Sequence, residues 1–269
     1  MRGYYFIAVL LGFLSGVALA QNKSKAEQKF PGMVLEEGQT MADLGRGERV
    51  SQPAALALQA LESDERVSVE AGDWIVMSPV AGADTGLIFY HGGETDPRVY
   101  ARPLRAIAEQ GYLVVAVTMP RYLAVMAPYK ADEVIEHFSE ISVWAIAGHS
   151  MGGAMAAQYV YKKPGKVDGL LFWDAYPPSD IDLTQSEVLV AQIYRTDMNG
   201  NAPDNFREVD HLLPEDTLRF PIKGADHTYF GDYILASHRP EPKAEISLEE
   251  QMAIVIDSSI EFMDALDGL

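Results

Sequence analysis

Between Leu87 and Trp173 the chain alternates short runs that are apolar at nearly every position with stretches of helical character, and this alternation constrains the fold more than any other feature. The runs are Leu87-Ile88-Phe89-Tyr90, Leu113 to Val117, Val143 to Ala147 and Leu170 to Trp173, with helical stretches at Asp96 to Gln110, Ala131 to Phe138 and Gly152 to Tyr161 between them. A strand with one face in water alternates apolar and polar residues, whereas one covered on both faces is apolar throughout. The pattern predicts an α/β domain: a mostly parallel sheet with helices on both faces. Val67 to Glu70 and Trp74 to Met77, split by Ala71-Gly72-Asp73, read as an antiparallel hairpin at its edge. Further along are a strand from Glu187 to Tyr194, a helix from Asn205 to Leu213, a strand from Thr217 to Ile222 and a long final helix from Ser247 to Leu266. Ser247 is placed to cap that helix, and Glu249 and Glu250 suit the positive end of its dipole. Ser51, with Pro53 two residues on, reads as the start of a short helix reaching about Glu62. No internal repeat is visible, so residues 51–269 are read as a single domain.

Ahead of that domain stand Arg2, the apolar run Tyr4 to Leu14 and the small residues Ala18-Leu19-Ala20. This is the pattern of a cleaved secretory signal peptide over residues 1–20. The expected location is periplasmic or extracellular, with no stable membrane anchor. Residues 21–50 are polar and Gly-rich and read as a tail or linker.

Composition narrows the chemistry. With 39 acidic against 21 basic side chains the net charge is −18, which argues against nucleic acid as a partner, because phosphates must be neutralised by Lys and Arg. The chain has no cysteine, which excludes disulfides, thiolate zinc sites and a thiol nucleophile. No helix carries two histidines four residues apart, and no metal or other cofactor is expected. What chemistry there is must run on oxygen and imidazole.

The strand ending at Ala147 runs directly into Gly148-His149-Ser150-Met151-Gly152-Gly153 and then a helix. In G-x-S-x-G between strand and helix, the turn is so tight that the flanking glycines must lack side chains, and the serine hydroxyl is pushed out at the helix N-terminus. Ser150 is therefore the candidate nucleophile. It needs a base late in the chain, and of six histidines His227, in Gly224-Ala225-Asp226-His227 after the last strand, is placed for it. The base in turn needs a carboxylate. Asp197, in the loop after the strand Glu187 to Tyr194, is the first choice, Asp174, directly after Trp173, the rival, and Asp226 is disfavoured as the neighbour of the base. For the oxyanion hole, Met151 supplies one backbone N–H and His91-Gly92-Gly93 the other, from Gly93 or, as the near alternative, Gly92.

These phrases, with Asp73-Trp74-Ile75-Val76, Gly86-Leu87-Ile88-Phe89-Tyr90, Gly111-Tyr112-Leu113-Val114-Val115 and His227-Thr228-Tyr229-Phe230-Gly231, stand in the order found in a known family. From about Asp73 to Tyr233 the chain resembles the α/β-hydrolase superfamily, and more narrowly its fold-5, dienelactone-hydrolase-like branch. The resemblance implies a single-domain α/β-hydrolase fold and a serine hydrolase with Ser150, Asp197 and His227 as triad. It departs at Tyr194-Arg195-Thr196-Asp197-Met198-Asn199, where relatives usually carry a Gly-rich turn and Asp-Gly, and in its nucleophile, since dienelactone hydrolases use cysteine.

Only a short Pro-containing loop separates Trp173 from Glu187, so a minimal cap and an open site are expected. Met119, Tyr122, Tyr176, Tyr229 and Phe230 are read as lining a shallow apolar pocket for a small or short-chain acyl substrate, against the plainer reading that they are core. A carboxylesterase is the leading expectation. A catalytically silent exported binding protein and a cofactor-free perhydrolase on the same triad are the alternatives.

Overall fold

The computed structural model describes residues 49–268, so the leader read at 1–20 and nearly all of the tail read at 21–50 lie outside the described residues. The apolar runs assemble into an eight-stranded sheet: β1 (Val67–Ala71), β2 (Trp74–Pro79), β3 (Thr85–Tyr90), β4 (Leu113–Val117), β5 (Val143–His149), β6 (Gly169–Trp173), β7 (Leu189–Thr196) and β8 (Leu218–Lys223). Their spatial order is β1-β2-β4-β3-β5-β6-β7-β8. The hairpin strands β1 and β2 run antiparallel at one edge, and β4, β3, β5, β6, β7 and β8 are mutually parallel. The helices are α1 (Ala55–Gln59), α2 (Ala101–Ala108), α3 (Ala131–His137), α4 (Met151–Lys162), α5 (Asp204–Val209) and α6 (Leu248–Asp267).

Because successive side chains of a strand point to opposite faces, each apolar run feeds two cores at once. Ile88, Val115, Ile146 and Phe172 pack on one face with Met155 and Tyr159 of α4. Leu87, Phe89, Val114 and Trp173 pack on the other with Leu104 and Ile107 of α2 and Val255 and Phe262 of α6. All six residues of β3 are buried, and each large apolar side chain so covered contributes roughly 1.5–3 kcal/mol. A buried hydrogen bond of 3.0 Å from Trp173 Nε1 to Ser259 Oγ ties β6 to α6, and α6 opens with a capping box between Ser247 and Glu250.

The start of the domain differs from the sequence expectation. Ser51 does not cap a helix. Its N–H donates to Glu94 O at 3.0 Å, its carbonyl accepts from Asp96 N–H at 3.1 Å, and Gln52–Pro53 pairs antiparallel with Tyr233–Ile234. Tertiary backbone pairing wins over the local capping preference, and the helix shrinks to Ala55–Gln59. The chain is thereby strapped across the loop that leaves β3. That loop matters, since the parallel strands all deliver their carboxyl ends to one edge, where sites in open α/β sheets form.

Candidate active site

β5 ends at His149 and α4 begins at Met151, so Ser150 alone turns the chain. It does so at φ 54°, ψ −122°, a conformation that costs a non-glycine residue of order 1–3 kcal/mol. A Cβ at Gly148 would collide with the backbone of Gly152 and Gly153, and one at Gly152 with the carbonyl oxygens of Tyr90 and His91. The helix can start against the ends of β3 and β5 only because these positions lack side chains. Ser150 is half-buried at the N-terminus of α4, where negative charge is favoured.

His227 opens a 3-10 turn, His227–Phe230, just beyond β8. Its Nδ1 lies 2.5 Å from Oδ2 of Asp174, the residue directly after β6, 2% exposed and at φ 41°. Oδ1 of the same carboxylate accepts the Arg195 N–H at 3.0 Å. The Arg195 guanidinium contacts Oδ2 and stands 3.1 Å from Nδ1 of His227. Burial, first, and then the positive charges of Arg195 and Arg239 push the imidazole down to about 3, with Asp226 opposing. A ring that gives Nδ1–H to Asp174 keeps the Nε2 lone pair for a hydroxyl proton.

Asp197, the first choice from sequence, is not beside His227. β7 continues two residues past its expected end, to Thr196, and Asp197 follows in an exposed turn. Its carboxylate accepts from Asn199 N at 2.9 Å and from Asn201 N and Nδ2, both at 2.8 Å, and these bonds, led by the Asn201 side chain, hold its carboxyl below the usual range. Asp174 takes the place because Trp173 pairs with His149 in the sheet, which sets the residue after one strand beside the residue after the other. Asp226, adjacent to the base, accepts from Thr228 N at 2.8 Å and Lys243 N at 2.9 Å.

On the other side, Gly92 and Gly93 leave β3 against the first residue of α4: a Cβ at Gly93 would stand 3.0 Å from Met151 Cε. The Gly92 N–H donates to Tyr100 OH at 3.1 Å, so it is already spoken for. The Gly93 N–H has no partner among the described residues, and Met151 occupies the helix position whose N–H lacks an intrahelical acceptor. Tyr100 OH also lies 2.8 Å from His149 Nδ1, and His149 Nε2 lies 3.1 Å from the carbonyl oxygen of His227. Tyr233 OH donates to Tyr100 OH at 3.2 Å. One proton assignment satisfies every atom: His149 Nε2–H donates to His227 O, Tyr100 O–H donates to Nδ1, and Tyr100 oxygen accepts from Gly92 and Tyr233. Burial keeps His149 well below an ordinary histidine, so it is neutral. His91, fully buried and pushed down to about 4, accepts the Met119 N–H at 3.1 Å through Nε2 and holds the same loop.

Of the residues expected to line a pocket, Met119 and Phe230 are 2% and 1% exposed and pack in the two cores, Phe230 stacked on His149. Tyr122, Tyr176 and Tyr229 keep partial exposure. Tyr176 OH accepts from Asn205 Nδ2 at 2.9 Å, and its ring packs edge-on against Phe206. No helix occurs between β6 and β7. Among the described residues no group of three or more His, Asp or Glu gathers as metal ligands. The non-glycine residues at positive φ, namely Glu94, Arg121, Tyr122, Ser150 and Asp174, all follow the ends of β3, β4, β5 and β6. Among the described residues backbone strain of this kind gathers at the site edge, the pattern expected where geometry serves function.

Sequence reasoning missed Arg195 and Tyr100. A cation two positions before Asp197 was visible, but its carboxylate partner was not, and nothing in the periodicity around Tyr100 marks it.

A serine turned out between strand and helix, with an imidazole carried just beyond the last strand at the same sheet edge, is what an α/β-hydrolase architecture builds. The family model for the alpha/beta hydrolase family matches residues 86–253, and the chain belongs to that family. Solved structures of similar fold include a predicted CIB-like hydrolase from Thermoplasma acidophilum (15% identity, 72% of this chain and 98% of that one, TM-score 0.53). A monoacylglycerol lipase of Paleococcus ferrophilus (14% identity, 72% and 99%, TM-score 0.52) and a ferulic acid esterase from Streptomyces cinnamoneus (17% identity, 71% and 70%, TM-score 0.51) are also similar. At such identities the likeness is one of fold. No curated protein matches the chain.

Proposed function

We propose that this alpha/beta hydrolase cleaves carboxylic esters of small or short-chain acids through an acyl-enzyme on Ser150, and that it works outside the cytoplasm after loss of the leader read at residues 1–20. The observation that carries the reading is the 2.5 Å contact between His227 Nδ1 and the buried Asp174 Oδ2, at the strand edge where Ser150 is turned outward. Ser150 Oγ attacks the ester carbonyl while His227 Nε2 takes its proton. The oxyanion of the tetrahedral intermediate is met by the N–H groups of Gly93 and Met151. The imidazolium, steadied by Asp174, returns the proton to the leaving alkoxide, and the alcohol departs. Water then repeats the sequence on the acyl-serine, with His227 again as base, and frees the acid. The helix-free stretch between β6 and β7 supports an open site suited to small substrates.

The test is covalent labelling by a fluorophosphonate probe together with turnover of short p-nitrophenyl esters. The expected result is one adduct on Ser150, with labelling and turnover both lost in Ser150→Ala. A folded protein that neither reacts nor turns over would instead favour a binding role.

A further inference from the structure

We propose that Arg195 is a positioning residue of this reaction: its guanidinium shares one carboxylate oxygen of Asp174 with His227 and so keeps the imidazole unprotonated, and able to act as a base, in acidic solution. The inference rests on the triad reading above.

In the usual arrangement the carboxylate faces the imidazole alone, and its full charge stabilises the imidazolium. Here Asp174 is engaged three times: by the Arg195 N–H at Oδ1, and by both the Arg195 guanidinium and His227 Nδ1 at Oδ2. The guanidinium is itself held in place. It lies 5.8 Å over the Phe206 ring, which is packed by Tyr176 and Tyr194 with ring centroids at 4.9 and 5.9 Å. Its side chain is 28% exposed, and burial holds the guanidinium below its ordinary value, with the charge of Asp226 opposing. Several ionisable groups face His227 among the described residues. Asp174, in contact with it just after β6, and the adjacent Asp226 favour the imidazolium; Arg195 from β7 and Arg239, in the stretch before α6, oppose it. His149, from the end of β5, lies with its ring 4.4 Å away and is neutral. The two negative charges are matched by two positive ones, so an added proton on His227 gains little from its surroundings. The ring is then a weaker base toward Ser150 and a stronger acid toward the leaving alkoxide.

The experiment follows kcat/KM for a short p-nitrophenyl ester, and the rate of fluorophosphonate labelling of Ser150, between about pH 4 and 9. It compares the wild-type protein with Arg195→Lys and Arg195→Met. In the wild type the acid inflection is expected below about pH 5; in Arg195→Met it moves up by at least one unit, a tenfold change in proton affinity, toward the ordinary value of about 6.5. Arg195→Lys, which keeps a charge, retains the low inflection. A wild-type inflection near 6.5, or an Arg195→Met profile lowered uniformly with its inflection unmoved, overturns the proposal. Should Arg195→Met fail to fold, Arg195→Gln takes its place: an acid inflection raised as in the Met variant supports the proposal, and one left at the wild-type position overturns it. Absence of a Ser150 adduct at every pH would sink the triad reading itself, whereas an adduct with an ordinary inflection sinks only the role given to Arg195.

Discussion

The hydroxyl of Tyr100 lies 2.8 Å from Nδ1 of His149, and through that bond the glycine loop after β3 is joined to the loop that carries His227. Tyr100 receives the Gly92 N–H on one side, and His149 passes its other ring nitrogen to the His227 carbonyl on the other. The two halves of the site thus share one buried polar chain.

Tyr100→Phe removes the oxygen that Gly92, Tyr233 and His149 all use. Leaving buried polar groups unpaired costs about 1–3 kcal/mol, so urea unfolding is expected to show a loss of about 2 kcal/mol. Because Gly92 precedes the proposed oxyanion donor, kcat should fall roughly tenfold with little change in KM. An unchanged kcat would show that the chain supports the fold alone.

The two candidate acids separate cleanly. Asp174→Asn keeps the shape but leaves the wrong tautomer of His227, and kcat is expected to drop by about 10³–10⁴. Asp197→Asn alters only an exposed turn and should stay within about twofold of wild type. The reverse pattern in steady-state ester kinetics would reinstate Asp197.

Stability should fall as the solution is acidified, for a reason visible in the buried rings. His91 and His149 are almost wholly buried and hold their protons far less readily than in the unfolded chain, His91 at about 4. Above the unfolded value of about 6.5 both states are neutral and the full stability is present; below it the unfolded chain binds protons that the folded one refuses. Each ring then withdraws about 1.4 kcal/mol per pH unit until its own folded value is reached. Denaturant midpoints at about pH 7 and 5 check this, and a midpoint that does not fall at the lower pH would contradict the neutral, buried assignment.

Two glycines give a steric contrast. Gly152→Ala drives a methyl into the Tyr90 carbonyl and should abolish soluble, folded protein, while at Gly72 a Cβ meets nothing within 4 Å. Gly72→Ala is expected within about 0.5 kcal/mol of wild type by thermal or urea unfolding.

What could be read from sequence was what is encoded locally. The strands of the parallel sheet are apolar in themselves, and the elbow at Ser150 is specified by glycines two positions to either side, so both are legible from short segments. The acid is not, because which strand end faces His227 depends on the pairing of Trp173 with His149 across the sheet. The same holds for Ser51, whose capping signal was outcompeted by backbone partners at Glu94 and Asp96, and for Tyr100, whose place comes from packing across the β5 end rather than from any repeat in its neighbourhood.

The left-handed residues at the strand ends have a consequence for how this chain would respond to selection. Ser150 and Asp174, both proposed for the triad, sit in backbone conformations that glycine adopts more readily. A variant library screened for heat resistance alone would therefore enrich glycine at Ser150 and discard the nucleophile, but not at Asp174, whose loss would leave Arg195 and His227 without their buried carboxylate; one screened for turnover would hold both and draw its gains from the cores and surface. The nucleophile's turn is thus the place where stability and turnover pull in opposite directions.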